Sequence, residues 1–214
     1  MTYLEIVNSV LVRLREQEVS TINENSYSNL ISKLVNVVKR EIDTSYNWSG
    51  YRTTFTLTTA DDVFNYVLTG FGTTSKVLHV YNDTDDTTMR LKEGQWFDRA
   101  FRMSGTAQKG SPQYYNFNGV DSNGDLGVDV YPIPDKVYEL RFNVVQDQTD
   151  LSTDSEVVTF NSPIIIEGVL SRAISERGED GGSQDQEHRY RNLLSDAISR
   201  EVDLRLNEST WYAT

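Results

Sequence analysis

Hydrophobic periodicity changes twice along these 214 residues, and no other feature constrains the fold as much. Residues 3–18 set Leu4, Val7, Leu11 and Leu14 at helical spacing, with Ile6 and Val10 beside them. Residues 26–43 repeat the pattern with Tyr27, Leu30, Ile31, Leu34, Val35, Val38 and Ile42. Between 48 and 160 the period shortens to two, and threonine and aromatic residues dominate. A helical period returns at Ile166, Val169, Leu170, Ala173 and Ile174, and again over 183–206. In that last stretch Tyr190, Leu194, Ala197, Ile198, Val202 and Leu206 are expected to face inward.

Local signals mark the boundaries. Thr2 and Glu5 have the spacing of a capping box, and Asn25 or Ser26 caps the second helix. Lys39 and Arg40 sit near that helix's C-terminal end, where cations suit the dipole. Asn161-Ser162-Pro163 sets a capping side chain before a proline in the first turn. Strands are expected at 52–58, 63–68, 77–81, 88–91, 96–102, 114–117, 128–131, 138–145 and 156–160, separated by Gly-, Asn-, Asp- and Pro-rich turns. The fold class is therefore α+β. A four-helix bundle forms from the N- and C-terminal helix pairs, and an antiparallel β-sandwich or barrel-like domain is inserted between them. The expected domains are 1–47 with 161–206, the insert 48–160, and a C-terminal tail 207–214.

Composition narrows function. Twenty basic against 32 acidic residues give a formal charge of −12, and the chain has no cysteine. Disulfide scaffolds and thiolate metal sites are excluded. A pI near 4.6 argues against an ordinary nucleic-acid binder, which needs cations to displace counterions from phosphate. No window approaches the ~18 apolar residues of a membrane span. Glu5 stands where a signal peptide would carry basic residues, so no such leader is expected.

Catalytic constellations are sparse. Asp121-Ser122-Asn123-Gly124-Asp125 begins like a calcium loop, but Leu126 replaces the glycine and Pro132 the bidentate glutamate, so a hairpin turn is expected. His79 and His188 lack the spacing of metal co-ligands. No GxSxG, P-loop or GxGxxG is present, although composition alone leaves a Ser-His-Asp triad open. Asp61-Asp62, Asp85-Asp86 and Glu179-Asp180 read as solvated turns in so acidic a chain. Trp96-Phe97 and Tyr114-Tyr115 with Phe117 could stack bases or sugars, but alternating strands also bury such residues. No catalytic, cofactor or metal residue is assigned, and a non-enzymatic protein is expected. The terminal Asn207, Glu208, Ser209, Thr210, Trp211, Tyr212, Ala213 and Thr214 end in two aromatics of the kind that anchor interfaces.

The order helix, helix, β insert, helix, helix, tail comes with particular segments. They are 14–21 (LREQEVST), Tyr46-Asn47-Trp48, Gly110-Ser111-Pro112-Gln113-Tyr114-Tyr115, Val130-Tyr131-Pro132-Ile133-Pro134-Asp135 and 172–182 (RAISERGEDGG). Together they resemble the head-to-tail adaptor (connector) proteins of tailed bacteriophages, of the tail tubular protein A or gatekeeper type. The resemblance implies a structural virion protein of the neck or tail, assembled in the host cytoplasm. It implies a homo-oligomeric ring, usually twelvefold, below the portal, which joins the portal to the tail nozzle or tail tube. Tail fibres are a further possible partner. DNA would pass through the channel without sequence-specific binding. Residues 207–214 would dock on the portal, and Tyr3, Ile6, Val10 and Val37 would supply lateral ring contacts. Two other readings stay open: a carbohydrate-binding or -cleaving β domain of a tail-fibre protein, and another tail, baseplate or terminator subunit.

Overall fold

The computed structural model describes residues 1–71, 75–103, 107–146, 148–178 and 180–209. Among these residues the α-helices are α1 (Tyr3–Arg13), α2 (Ser26–Ser45), α3 (Gly94–Asp98), α4 (Ser162–Glu176) and α5 (Asp180–Ser209). Its seven strands are β1 (Arg52–Thr58), β2 (Asn65–Leu68), β3 (Lys76–Asn82), β4 (Thr87–Leu91), β5 (Tyr114–Val120), β6 (Leu126–Tyr131) and β7 (Glu139–Val145). The chain divides into two compact units: Met1–Tyr46 with Gln148–Thr214, and Asn47–Asp147.

The helical unit starts from its caps. Glu5 N donates to Thr2 Oγ1 at 3.2 Å, and Thr2 N donates to Glu5 Oε2 at 2.8 Å. Asn25 Oδ1 accepts from the backbone N–H of both Tyr27 and Ser28. By contrast, Asn161 makes no side-chain cap bond at the start of α4. The first helix stops at Arg13 rather than 18, because Arg15 takes a left-handed φ of 62° and breaks the ladder. The side chain of Asn8 then satisfies both backbone groups of Val19, at 3.0 and 2.9 Å, in place of helical partners.

Helices α1, α2 and α4 each pack against the other two, around Ile6, Val10, Ile31, Val35, Val38, Ile165 and Val169, all buried. Each such side chain stabilises the fold by roughly 1.5–3 kcal/mol. The long α5 lies along α4, and its stripe is shallower than its sequence implies. Tyr190 is fully buried, Leu194, Ala197 and Ile198 are half-buried, and Val202 is exposed. Thirty residues of helix run ~45 Å against ~22 Å for the fifteen of α4, so α4 cannot cover the whole of α5. The close approach occurs at Gly168. A Cβ there would lie 2.8 Å from Val38 Cγ1 and 3.0 Å from the Tyr190 ring.

The second unit is one seven-stranded sheet in the order β1-β7-β3-β4-β5-β6-β2. All pairs are antiparallel except β4 with β5, which the intervening helical segment makes parallel. Strands at opposite ends of that order send Phe55 and Leu57, and Tyr66 and Leu68, into one core. The sheet therefore curls into a nearly closed, barrel-like form.

Two expected strands are absent. Residues 96–102 are helical: α3 runs into one π-helical turn, Arg99–Met103. Phe97 and Phe101, four residues apart, share a face and pack on Tyr131. That helical spacing overrides the apparent alternation. Residues 156–160 form only a single bridge, Thr2 with Val157. The segment from Gln148 to residue 160 thus bonds within the helical unit, whereas the sequence reading placed it in the insert.

Gly168→Ala is expected to cost about 1–3 kcal/mol by overpacking α4 against Val38 and Tyr190. Denaturant unfolding checks this, and an unchanged midpoint would contradict the packing described.

Candidate interaction surfaces

Tyr3, Ile6 and Val10, expected as ring contacts, are core residues with at most 2% exposure. The Tyr3 hydroxyl donates to Ser32 O at 2.6 Å and accepts from Asn36 Nδ2 at 3.2 Å. Burial pushes this phenol up from its ordinary value. The stripe that looked broad enough for a neighbour is consumed by α2 and α4, and these three side chains cannot reach another subunit. Val37 is open, at 45% exposure. Val12, Val157, Leu193 and Val202 are also exposed. Sequence reading missed Val12 because it lies off the stripe of α1. Of the docking tail, Asn207, Glu208 and Ser209 belong to α5. Thr210, Trp211, Tyr212, Ala213 and Thr214 lie outside the described residues.

The returning segment is held by polar side chains of α2. Asn36 donates to Leu151 O and accepts from Leu151 N, both at 2.9 Å. Lys39 and Asp43, 4% and 3% exposed, form a buried ion pair at 2.9 Å, and Lys39 Nζ also donates to Gln148 O at 3.0 Å. Lys39 is thus an interior clamp, and because α2 runs on to Ser45 neither Lys39 nor Arg40 lies in its last turn, where the sequence suggested that they suit the dipole. Tyr3 N and Leu4 N donate to Glu156 O and Asp154 O, and Ile22 N donates to the Asp154 carboxylate. Arg177, after α4, joins three elements. It bonds the Tyr27 hydroxyl at 2.8 Å, Leu14 O at 3.3 Å and Glu16 Oε1 at 2.5 Å, with its guanidinium 4.7 Å over the Tyr27 ring.

Groups with chemical potential are mostly engaged. Asp121 Oδ1 accepts from Asn123 N and Asp125 N, and Asp125 Oδ1 accepts from Gly70 N. The calcium-like run is therefore a hairpin connection between β5 and β6. Asp62 pairs with Lys109 at 2.7 Å. His79 is exposed on β3 with its ring 5.2 Å from Tyr81, and His188 is exposed on α5. Trp96 and Tyr114 are half-buried against each other at 4.8 Å, and Lys92 sits over both rings. A groove of about 430 Å³ between α4 and α5 is lined by Ser171, Arg172, Glu187, His188 and Arg191 among others. Its ions are already matched, Arg172 with Glu41 and Arg191 with Glu187. Burial pushes the Glu187 carboxyl up, but bonds from Arg191 and Ser171 outweigh it and hold it below the usual range. Among the described residues, no cluster of three or more His, Cys, Asp or Glu could hold a metal ion, and no helix is long and apolar enough to cross a membrane.

The described residues thus comprise a helical unit, a curled sheet, and polar groups committed to holding segments in place. The SU10 adaptor protein family model matches residues 1–214, and the chain belongs to that family of phage adaptor proteins, which are structural components of the virion. No curated protein matches the sequence.

Two outcomes test the clamp. Lys39→Met should cost about 3–5 kcal/mol, because Asp43 is left buried and unpaired, while Lys39→Met with Asp43→Leu should recover most of the loss. Equal losses in a denaturant titration would contradict the pairing. Glu156 is held below its usual 4.5 by backbone N–H donors of Ser152 and Thr153. A lowered folded value stabilises above the unfolded value and is lost as pH falls through the folded one. Melting temperature should therefore drop below about pH 4.5, and less steeply in Glu156→Gln; an identical acid slope would remove Glu156 from the account.

Proposed function

We propose that this chain is a head-to-tail connector of the tail tubular A or gatekeeper type. Copies of it close a ring, twelvefold as in the resembling adaptors, between portal and tail, and the ring continues the DNA channel. Assembly takes place in the host cytoplasm, and no bond-making chemistry is involved. The observation that carries the reading is the family match over the whole chain rather than over one unit. Partners of such an adaptor include other virion components such as portal and tail.

The surface supports the reading. Val12, Val37, Leu193 and Val202 leave apolar contact area on three helices of the helical unit, as lateral neighbours require. In this proposal α5 is the fourth helix of a bundle whose open side a neighbouring copy covers, and residues 207–214 dock on the portal.

Particle mass of the purified chain, alone and with a portal ring, tests the proposal. A ring-sized species, or capture of many copies per portal, is expected, and Val37→Glu should weaken it several-fold by burying a charge. A monomer that ignores the portal would overturn the connector reading.

A further inference from the structure

The chain is acidic overall, but its cations are not evenly spread. On β1, core-facing Phe55 and Leu57 alternate with outward Arg52, Thr54, Thr56 and Thr58. The register carries that outer face across three more strands. Arg52 and Lys76 flank Val145; Thr54 aligns with Asn143 and His79; Thr56 aligns with Arg141, Tyr81 and Thr88. Arg90 is the next outward residue of β4 after Thr88. Arg52, Lys76, Arg90 and Arg141 are all exposed here, with Glu139 and Asp83 as opposing carboxylates and Asp85 and Asp86 in the β3–β4 turn at one end. Arg141 pairs with Asp83 at 2.9 Å and lies 5.6 Å over the Tyr81 ring. Arg52, Lys76 and Arg90 have no ion pair among the described residues. Neighbouring strands stand ~4.8 Å apart and outward residues repeat every ~6.8 Å, so these cations form a grid, not a point.

We infer that the outer face of β1-β7-β3-β4 contacts the phosphate backbone of nucleic acid, without reading sequence. Charge complementarity is the first argument: unpaired cations gain by releasing counterions from a polyanion. Hydroxyls of Thr56 and Thr88 beside them are donors that suit phosphate oxygens. The second argument is what the face lacks. A protein partner wants an apolar centre ringed by polar groups. Of the exposed large apolar residues of this unit, Val63, Phe64, Val67, Leu91 and Val120 lie outside the outward rows of these four strands, and Val137 precedes β7 at the margin of the face. Leu91 follows Arg90 and so points to the opposite side. The net charge of −12 does not prevent the contact, because charges more than ~8 Å away are largely screened at physiological salt. The inference goes beyond the connector reading and does not need a ring, since one chain carries the whole face.

Fluorescence anisotropy of the full chain with a labelled duplex of about 30 base pairs, titrated from about 30 to 200 mM salt, tests it. Three free cations predict a log–log salt slope near −3, and Lys76→Ala should lower its magnitude by about one. The triple variant R52E/K76E/R90E should lose at least about tenfold in affinity. The control K33E/R189E/R200E, with the same change in net charge on exposed helical positions, should stay within about threefold. R52Q/K76Q/R90Q replaces the reversal variant if that variant fails to fold. Absence of wild-type binding at the lowest salt, or equal weakening in both triple variants, overturns the inference. So does binding of polyglutamate or of a second copy in place of DNA, lost in the face variant. Particle mass, measured separately, shows whether ring formation has failed, so the two readings fall independently.

Discussion

A charged side chain inside a small helical core is costly unless it is matched, and here the match ties α2 to the segment that follows β7. Lys39 spends its donors on Asp43 and on Gln148 O, and Asn36 uses both its amide groups on Leu151. The backbone that returns from the sheet is thereby fixed against α2. Tyr3, Leu4 and Ile22 then bond further along the same segment. With the segment held, α4 starts where its apolar face meets α1 and α2, and Gly168 lets α4 close on Val38 and Tyr190.

The sheet shows a second division of labour. Its interior is aromatic and aliphatic, with Tyr115, Phe142 and Phe71 among the buried rings. The cations borne by its strands, Arg52, Lys76, Arg90 and Arg141, lie on β1, β3, β4 and β7. Averaging charge over the whole chain hides this, because acidic residues crowd the turns, such as Asp83, Asp85 and Asp86 between β3 and β4.

Much of the architecture was legible from periodicity. The helical ends, the strand-rich middle and the caps at Thr2 and Asn25 rest on local rules and appear where those rules put them. The failures have physical causes. Residues 96–102 carry apolar side chains that fit both periods, and only packing on Tyr131 settles them as helix. Val157 and Val158 have the exposed and buried sides of a strand, but only the two residues at the start of the chain pair with them, through one bridge to Thr2 and a bond from Val158 N to Met1 O. Tyr3, Ile6 and Val10 looked like surplus apolar surface because sequence does not show that α2 and α4 converge on them. Lys39 and Asp43 stand four apart on one helix, so their pairing could have been read; their burial could not. Of the surface contacts, Val37 was legible as apolar on a polar side of α2, whereas the basic face required the register of four strands.

In the proposed function the molecule works by shape and surface at the junction of head and tail. Electron microscopy of intact virions labelled with gold-conjugated antibody to this chain addresses that location directly. Label concentrated at the single head–tail vertex is the predicted result. Label along tail fibres, or spread over the capsid with the vertex bare, would contradict it.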